Sequence, residues 1–139
     1  MLDLDATTKR SAFEAIADCL EKRDSLDAQQ IVASLAEREE LGSTGLGRGV
    51  AIPHARVEGL SHAVAIFARL ALPIAFDAPD GKPVSDMLVL LVPPQPTDHH
   101  LQVLALVAEM FCDANFREAL RSADDAESVW RLFADWTPL

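Results

Sequence analysis

Eight residues constrain the fold of this chain more than any other stretch: Gly42-Ser43-Thr44-Gly45-Leu46-Gly47-Arg48-Gly49 holds four of the six glycines in the sequence. So dense a glycine run can neither continue a helix nor make an ordinary strand, because glycine gives up more backbone freedom on ordering than any other residue. It therefore divides the chain. What precedes it has helical periodicity, with Phe13, Ile16, Ala17 and Leu20 spaced i, i+3, i+4, i+7 and either Thr7 or Thr8 available as N-cap. A break falls at Asp24-Ser25-Leu26. Asp27 and Gln30 then have capping-box spacing for a second helix with the stripe Ala28, Ile31, Val32 and Leu35.

Beyond the glycines, apolar runs alternate with turns. Val50-Ala51-Ile52 predicts a short strand, and residues 63–70, apolar on both faces, predict an interior one. Residues 86–92 predict a third, closed by Pro93-Pro94, while Ala78-Pro79-Asp80-Gly81 is a strong turn signal. The last third returns to helix. Leu101, Leu104, Ala105 and Ala108 form one stripe, and Phe116, Ala119 and Leu120 a second. Asp124 with Glu127 predicts the cap of a final helix bearing Val129, Leu132, Phe133 and Trp136. Strands in the middle with helices on either side predict an α/β fold, and 139 residues suit a single domain spanning 1–139.

Composition removes several function classes. Twelve basic against 22 acidic residues give a net charge of −10, which repels a phosphate backbone at long range, so no nucleic-acid partner is expected. The longest apolar stretch, residues 87–92, falls far short of the roughly 18–20 needed to span a bilayer, so no membrane insertion is expected. The acidic start Met1-Leu2-Asp3-Leu4-Asp5 has neither the basic segment nor the apolar core of a secretory signal, and a cytoplasmic protein is expected. Cys19 and Cys112 sit on apolar helical stretches without metal-ligand spacing and are expected to be reduced, buried packing residues.

The glycine run leads directly into Val50-Ala51-Ile52-Pro53-His54. Glycines let backbone N–H groups converge on an anion, Ser43 and Thr44 add hydroxyl donors, and Arg38, Arg48 and Arg56 bring positive charge close in sequence. Pro53 stiffens the backbone before the imidazole. The nucleotide motifs do not fit. A Walker loop needs Gly-Lys-Ser/Thr where Gly47-Arg48-Gly49 stands, and the third glycine of a dinucleotide loop would fall at Val50. On spacing alone, a tight structural loop is the simpler explanation of the glycines, and His54 is an ordinary packing or surface histidine. Asp77 and Asp80 read as turn formers, and the four histidines have no helical i, i+4 pair to hold a metal.

The run from Arg38 to His54, with its Ser-Thr-Gly-x-Gly…Ile-Pro-His core, resembles the phosphorylation segment of the mannitol/fructose-type enzyme IIA domains (type-2 EIIA) of the bacterial phosphotransferase system, and most of all their nitrogen-regulatory branch. The resemblance continues at residues 73–78, 81–84, 90–93, 97–101 and 116–120. It implies a mixed β-sheet covered by helices, with His54 as phosphate acceptor and Arg38 and His100 beside it as catalytic partners. Ser43, Thr44 and Gly45 would hold phosphoryl oxygens, and Leu46 and Val50 would dock the donor, although Leu46 serves equally well as a buried anchor. No metal or other cofactor is implied. The implied partners are a histidine-containing phosphocarrier protein and either regulatory target proteins or an enzyme IIB for sugar uptake. Two positions depart from the family pattern: Arg48 stands where asparagine is common, and Ala55 where glycine is common.

Overall fold

The glycine run turns out to be a hairpin. In the computed structural model, which describes residues 1–95 and 97–137, β1 (Gly45–Gly47) pairs antiparallel with β2 (Val50–Ala51) across Arg48 and Gly49. Arg48 has φ +58° and Gly49 +83°, the two positive φ values that a two-residue type I′ turn demands. Part of the segment is thus strand, against expectation. The glycines are needed for the turn and for close approach, not because pairing is absent.

Three more strands complete a mixed sheet: β3 (His54–Arg56), β4 (Val64–Ile74) and β5 (Val84–Val92). β5 is the interior strand, with β4 antiparallel on one side and β2 and β3 parallel on the other. β2 and β3 keep one register along β5: Val50 pairs with Asp86 and His54 with Leu90, an offset of 36 residues on both sides of Ile52-Pro53. The expectation of an interior strand at 63–70 is corrected. Among the described residues β4 pairs along its length only with β5, while its other edge meets Leu4 at one bridge and receives a 2.9 Å bond at Phe67 O from the Met1 amine. An N-terminal segment covering an edge blunts it against intermolecular pairing.

Helices α1 (Lys9–Asp24) and α2 (Ala28–Leu41) cover one face. Thr8 is the N-cap of α1, its hydroxyl accepting from Ser11 N at 3.0 Å. Asp27 caps α2 by accepting from Gln29 N and Gln30 N, but the expected reciprocal box is not made: the Gln30 amide donates instead to Glu58 O at 3.3 Å. Helices α3 (Asp98–Cys112), α4 (Ala114–Ser122) and α5 (Ala126–Asp135) form the layer on the other face. Asp125, not Asp124, caps α5, its carboxylate accepting from Ser128 N at 2.7 Å.

Strand alternation sorts the core into two clusters. Met87, Val89 and Leu91 of β5 pack with Phe13, Ile16, Leu20, Ile31 and Leu35, whereas Leu88, Val50 and Ile52 pack with Phe111, Phe116 and Leu120. Each such side chain stabilises the fold by about 1.5–3 kcal/mol when fully buried. Helix α3 departs from its expected stripe: Val107, Met110 and Phe111 are buried, whereas Leu101 is 56 % exposed and Ala105 lies outside the core. The first turns of α3 face a cavity rather than the core. Cys19 is half-buried and Cys112 exposed, both free thiols, so the buried packing role expected for Cys112 is corrected. Among the described residues no helix is long and apolar enough to cross a membrane.

Candidate functional site

Val50, Ile52 and His54 form an alternating row on the face of the sheet that α3–α5 cover. The first two are core. At His54 the core stops, and a cavity of about 470 Å3 opens, bounded by β3, α2 and the start of α3. Arg38 and Leu41 line it from α2, His54 and Arg56 from β3, and His100 and Leu101 from α3.

Hydrogen bonds fix the chemistry of both histidines. His54 Nδ1 lies 2.8 Å from Ile52 O. A carbonyl oxygen only accepts, so Nδ1 carries the proton and the lone pair of the neutral ring sits on Nε2. His100 is the reverse. Its Nδ1 accepts from Thr97 N at 3.0 Å at the start of α3, so in the neutral ring Nε2 is the donor. The cavity thus holds one imidazole with a free lone pair and one with a free N–H. Arg38 Nη1 donates to Gly42 O at 2.9 Å, tying its guanidinium to the exit of α2. Among the described residues the lining holds two guanidiniums, Arg38 and Arg56, and one carboxylate, Glu37, so this corner is cationic on a protein of charge −10.

The sequence-predicted residues separate into two groups. Arg38, His54 and His100 meet at the cavity; Ser43, Thr44 and Gly45 are not in its lining. Ser43 Oγ donates to Phe76 O at 2.7 Å and accepts from Gly45 N at 3.0 Å. Thr44 is 6 % exposed, and both its N–H and its hydroxyl donate to Glu39. A Cβ on Gly45 would stand 2.9 Å from the Ala78 methyl, so only glycine fits there. These three residues hold the loop together. Val50 is buried in the core and is no docking residue, while Leu46 is 41 % exposed on the hairpin, outside the cavity. Arg48 is likewise on the hairpin, its N–H donating to Asp80 Oδ2 at 2.7 Å. That bond, with a second from Lys82 N, holds the Asp80 carboxyl below the usual range. His62 and His99 are exposed and outside the site.

Leu41, Leu101 and Leu104 escaped sequence reasoning, as did Glu37. A signal existed: Ser34, Glu37, Arg38 and Leu41 repeat i, i+3, i+4, i+7, one helical face centred on Arg38. Leu41 is 83 % exposed, so with Leu101 the rim presents apolar surface beside the cationic floor.

The family model described as "Phosphoenolpyruvate-dependent sugar phosphotransferase system, EIIA 2" matches residues 1–136. A nitrogen regulatory protein of Pseudomonas aeruginosa is 39 % identical over 136 residues, spanning 97 % of this chain and 88 % of that protein. The nitrogen regulatory protein of Escherichia coli K12 is 40 % identical over 129 residues, 92 % of this chain and 79 % of that one. The crystal structure of nitrogen regulatory protein IIA-Ntr from Neisseria meningitidis superposes with a TM-score of 0.89 at 44 % identity, covering 94 % of this chain and 90 % of that chain.

Proposed function

The chain belongs to the type-2 EIIA family of the phosphoenolpyruvate-dependent sugar phosphotransferase system, and on that premise we propose that it carries a phosphoryl group on Nε2 of His54 as a nitrogen-regulatory phosphoprotein. The observation that carries this reading is the bond from His54 Nδ1 to Ile52 O, which leaves Nε2 as the unprotonated nitrogen at the cavity. Nε2 attacks the phosphorus of a donor phosphohistidine. The N–P bond of the donor breaks as the new one forms, and the donor ring leaves with the electron pair. Charge spreads over the equatorial phosphoryl oxygens in such transfers, so catalysis is alignment and electrostatic stabilisation. Arg38 and the His100 N–H share the cavity lining with His54 and supply donors to those oxygens, and Arg56 adds a second guanidinium. Ser43, Thr44 and Gly45 lie outside the cavity lining and brace the loop that leads to His54.

The phosphoryl donor is a histidine-containing phosphocarrier protein that docks on Leu41 and Leu101, two exposed leucines at the mouth of a cationic cavity. The phosphate itself adds nearly two negative charges at that mouth, enough to change which protein binds there. The regulatory reading is favoured over sugar delivery by the nitrogen regulatory proteins that match nearly the whole chain.

Incubation with phosphoenolpyruvate, enzyme I and the phosphocarrier protein should give an acid-labile, alkali-stable phosphate on the wild type and none on His54→Ala. Undiminished labelling of the variant would sink the assignment. Phosphorylated protein mixed with a mannitol-class enzyme IIB should keep its label; rapid loss would move the protein to sugar uptake.

A further inference from the structure

Glu39 follows Arg38 on the last turn of α2 but lies under the glycine loop instead of in the cavity lining. Its side chain is 6 % exposed and fully engaged: Oε2 accepts from Lys9 Nζ at 2.9 Å, and Oε1 accepts from both Thr44 N, at 2.9 Å, and the Thr44 hydroxyl. Thr44 passes the constraint on. Its carbonyl accepts from Ile52 N at 3.1 Å, and the Ile52 carbonyl accepts from His54 Nδ1 at 2.8 Å. Three hydrogen bonds, through Thr44 and Ile52, therefore join the Glu39 carboxylate to the imidazole.

We propose that Glu39 is a positioning residue for His54, fixing its Nδ1–H tautomer through Thr44 and Ile52. The inference rests on the reading of His54 as phosphate acceptor and names what makes it competent. A neutral imidazole with no partner populates both tautomers, and only the one with an unprotonated Nε2 can attack from the nitrogen that faces the cavity. The aim of the Ile52 carbonyl decides between them. Ile52 is itself constrained on its N–H side by Thr44, and the Thr44 N–H has one acceptor, Glu39. Ser43 is held independently, by Phe76 O, and Lys9 lies 4.5 Å from the Phe76 ring centroid. The loop start is thus clamped twice, but only the clamp at Thr44 leads to His54. A carboxylate buried this deeply is costly unless it is paired and its oxygens are satisfied, and both oxygens here have donors.

The test reads the ring and not the phosphate. In uniformly 15N-labelled protein, above the titration range of imidazole, His54 should show a protonated Nδ1 and an unprotonated Nε2. Glu39→Ala should give averaged ring-nitrogen shifts and roughly a ten-fold slower phosphoryl transfer, the scale at which removing a residue that orients a site ligand acts. Glu39→Gln retains an acceptor for Thr44 N and should recover part of both effects. Lys9→Met loses the ion pair but not the bond to Thr44, and should keep the wild-type ring pattern. Should Glu39→Ala fail to fold, the glutamine variant reports the same ring nitrogens. An unchanged ring pattern in the Glu39 variants overturns the proposal, and so does a Lys9→Met shift as large as that of Glu39→Ala. If His54→Ala proves still to accept phosphate, the ring spectra separately show whether Glu39 orients the imidazole.

Discussion

The two helical layers hold the sheet unequally. The cluster beneath α1 and α2 contains more than twice as many buried residues as the one beneath α3–α5, and three of its helical side chains, Phe13, Ile16 and Leu20, are essentially inaccessible. The second layer relies on an aromatic cluster in which Phe133, only half-buried, sits 5.1 Å from Phe116 and 6.1 Å from Phe111 between ring centroids. The cavity lies at the seam. Arg38 and the Glu39 clamp come from the heavily packed layer, His100 from the lightly packed one, and His54 from the strand between. The difference teaches where the site is rigid: the orientation of His54 is tied to the stronger layer, whereas His100 depends on the first turn of a helix whose exposed start contributes little burial.

Cavity-making substitutions test this most severely. Phe13→Ala should cost about 3–5 kcal/mol in urea unfolding, the usual range for a fully buried phenylalanine. Phe133→Ala should cost about 1–2 kcal/mol, because its site is half open and can collapse. Equal losses would abolish the contrast between layers.

Acid gives a smaller effect that separates α4 and α5 from α1 by the chemistry of their caps. The Asp113 carboxyl is held below its usual range by the Trp136 indole N–H and then by Phe116 N, and that of Asp125 by Ser128 N. Carboxylates depressed in the fold contribute stability that is present above their unfolded value, about pH 4, and lost as pH falls through the folded one. Both cap the second layer, α4 and α5, while α1 starts at the non-titrating Thr8 hydroxyl. Asp86 acts oppositely. Burial raises it against the pull of Arg69, so its contribution is complete below the unfolded value and declines as pH rises through the folded one. Amide exchange at pH 3 should therefore accelerate in α4 and α5 before α1; simultaneous loss of protection would show that the caps do not set the order.

The smallest change sharpens the picture at the hairpin. Arg48 occupies a position of positive φ that asparagine tolerates better, and its recorded contacts are made by backbone atoms. Arg48→Asn should stabilise the protein by roughly 0.5 kcal/mol with no loss of phosphoryl transfer, measured by urea titration and the labelling assay. A loss of transfer would give the Arg48 side chain a part in the site.

Legibility in the sequence followed element length. Helices α1 and α2 show in the 3.6-residue spacing of Phe13, Ile16 and Leu20 and of Ile31, Val32 and Leu35, which spans enough turns to be unambiguous. The convergence of Arg38, His54 and His100 was implied by family resemblance; local physics left His54 ordinary. Strands β1 and β3, three residues each, carry no usable period, and β3 begins directly after a proline. The inward bonds of Ser43 and Thr44 are not legible in sequence, because a hydroxyl in a glycine loop looks the same whether it turns outward to an anion or inward to Phe76 O and Glu39. Which of Leu41, Val50 and Leu101 is exposed depends on the layering of elements distant in sequence.

The constant register of β2 and β3 along β5 has a consequence for traffic through the site. His54 is pinned in a ladder that continues on both sides of the Ile52-Pro53 interruption, and its ring is tied to the backbone by Nδ1. Such a residue is a fixed post, not a swinging arm. Nothing in this geometry carries Nε2 from one protein surface to another, so under the proposed function a giver and a taker each come to the same spot. They cannot be there together. On the proposed function, supplier and recipient therefore use the cavity in turn, and a protein that lingers there excludes the next.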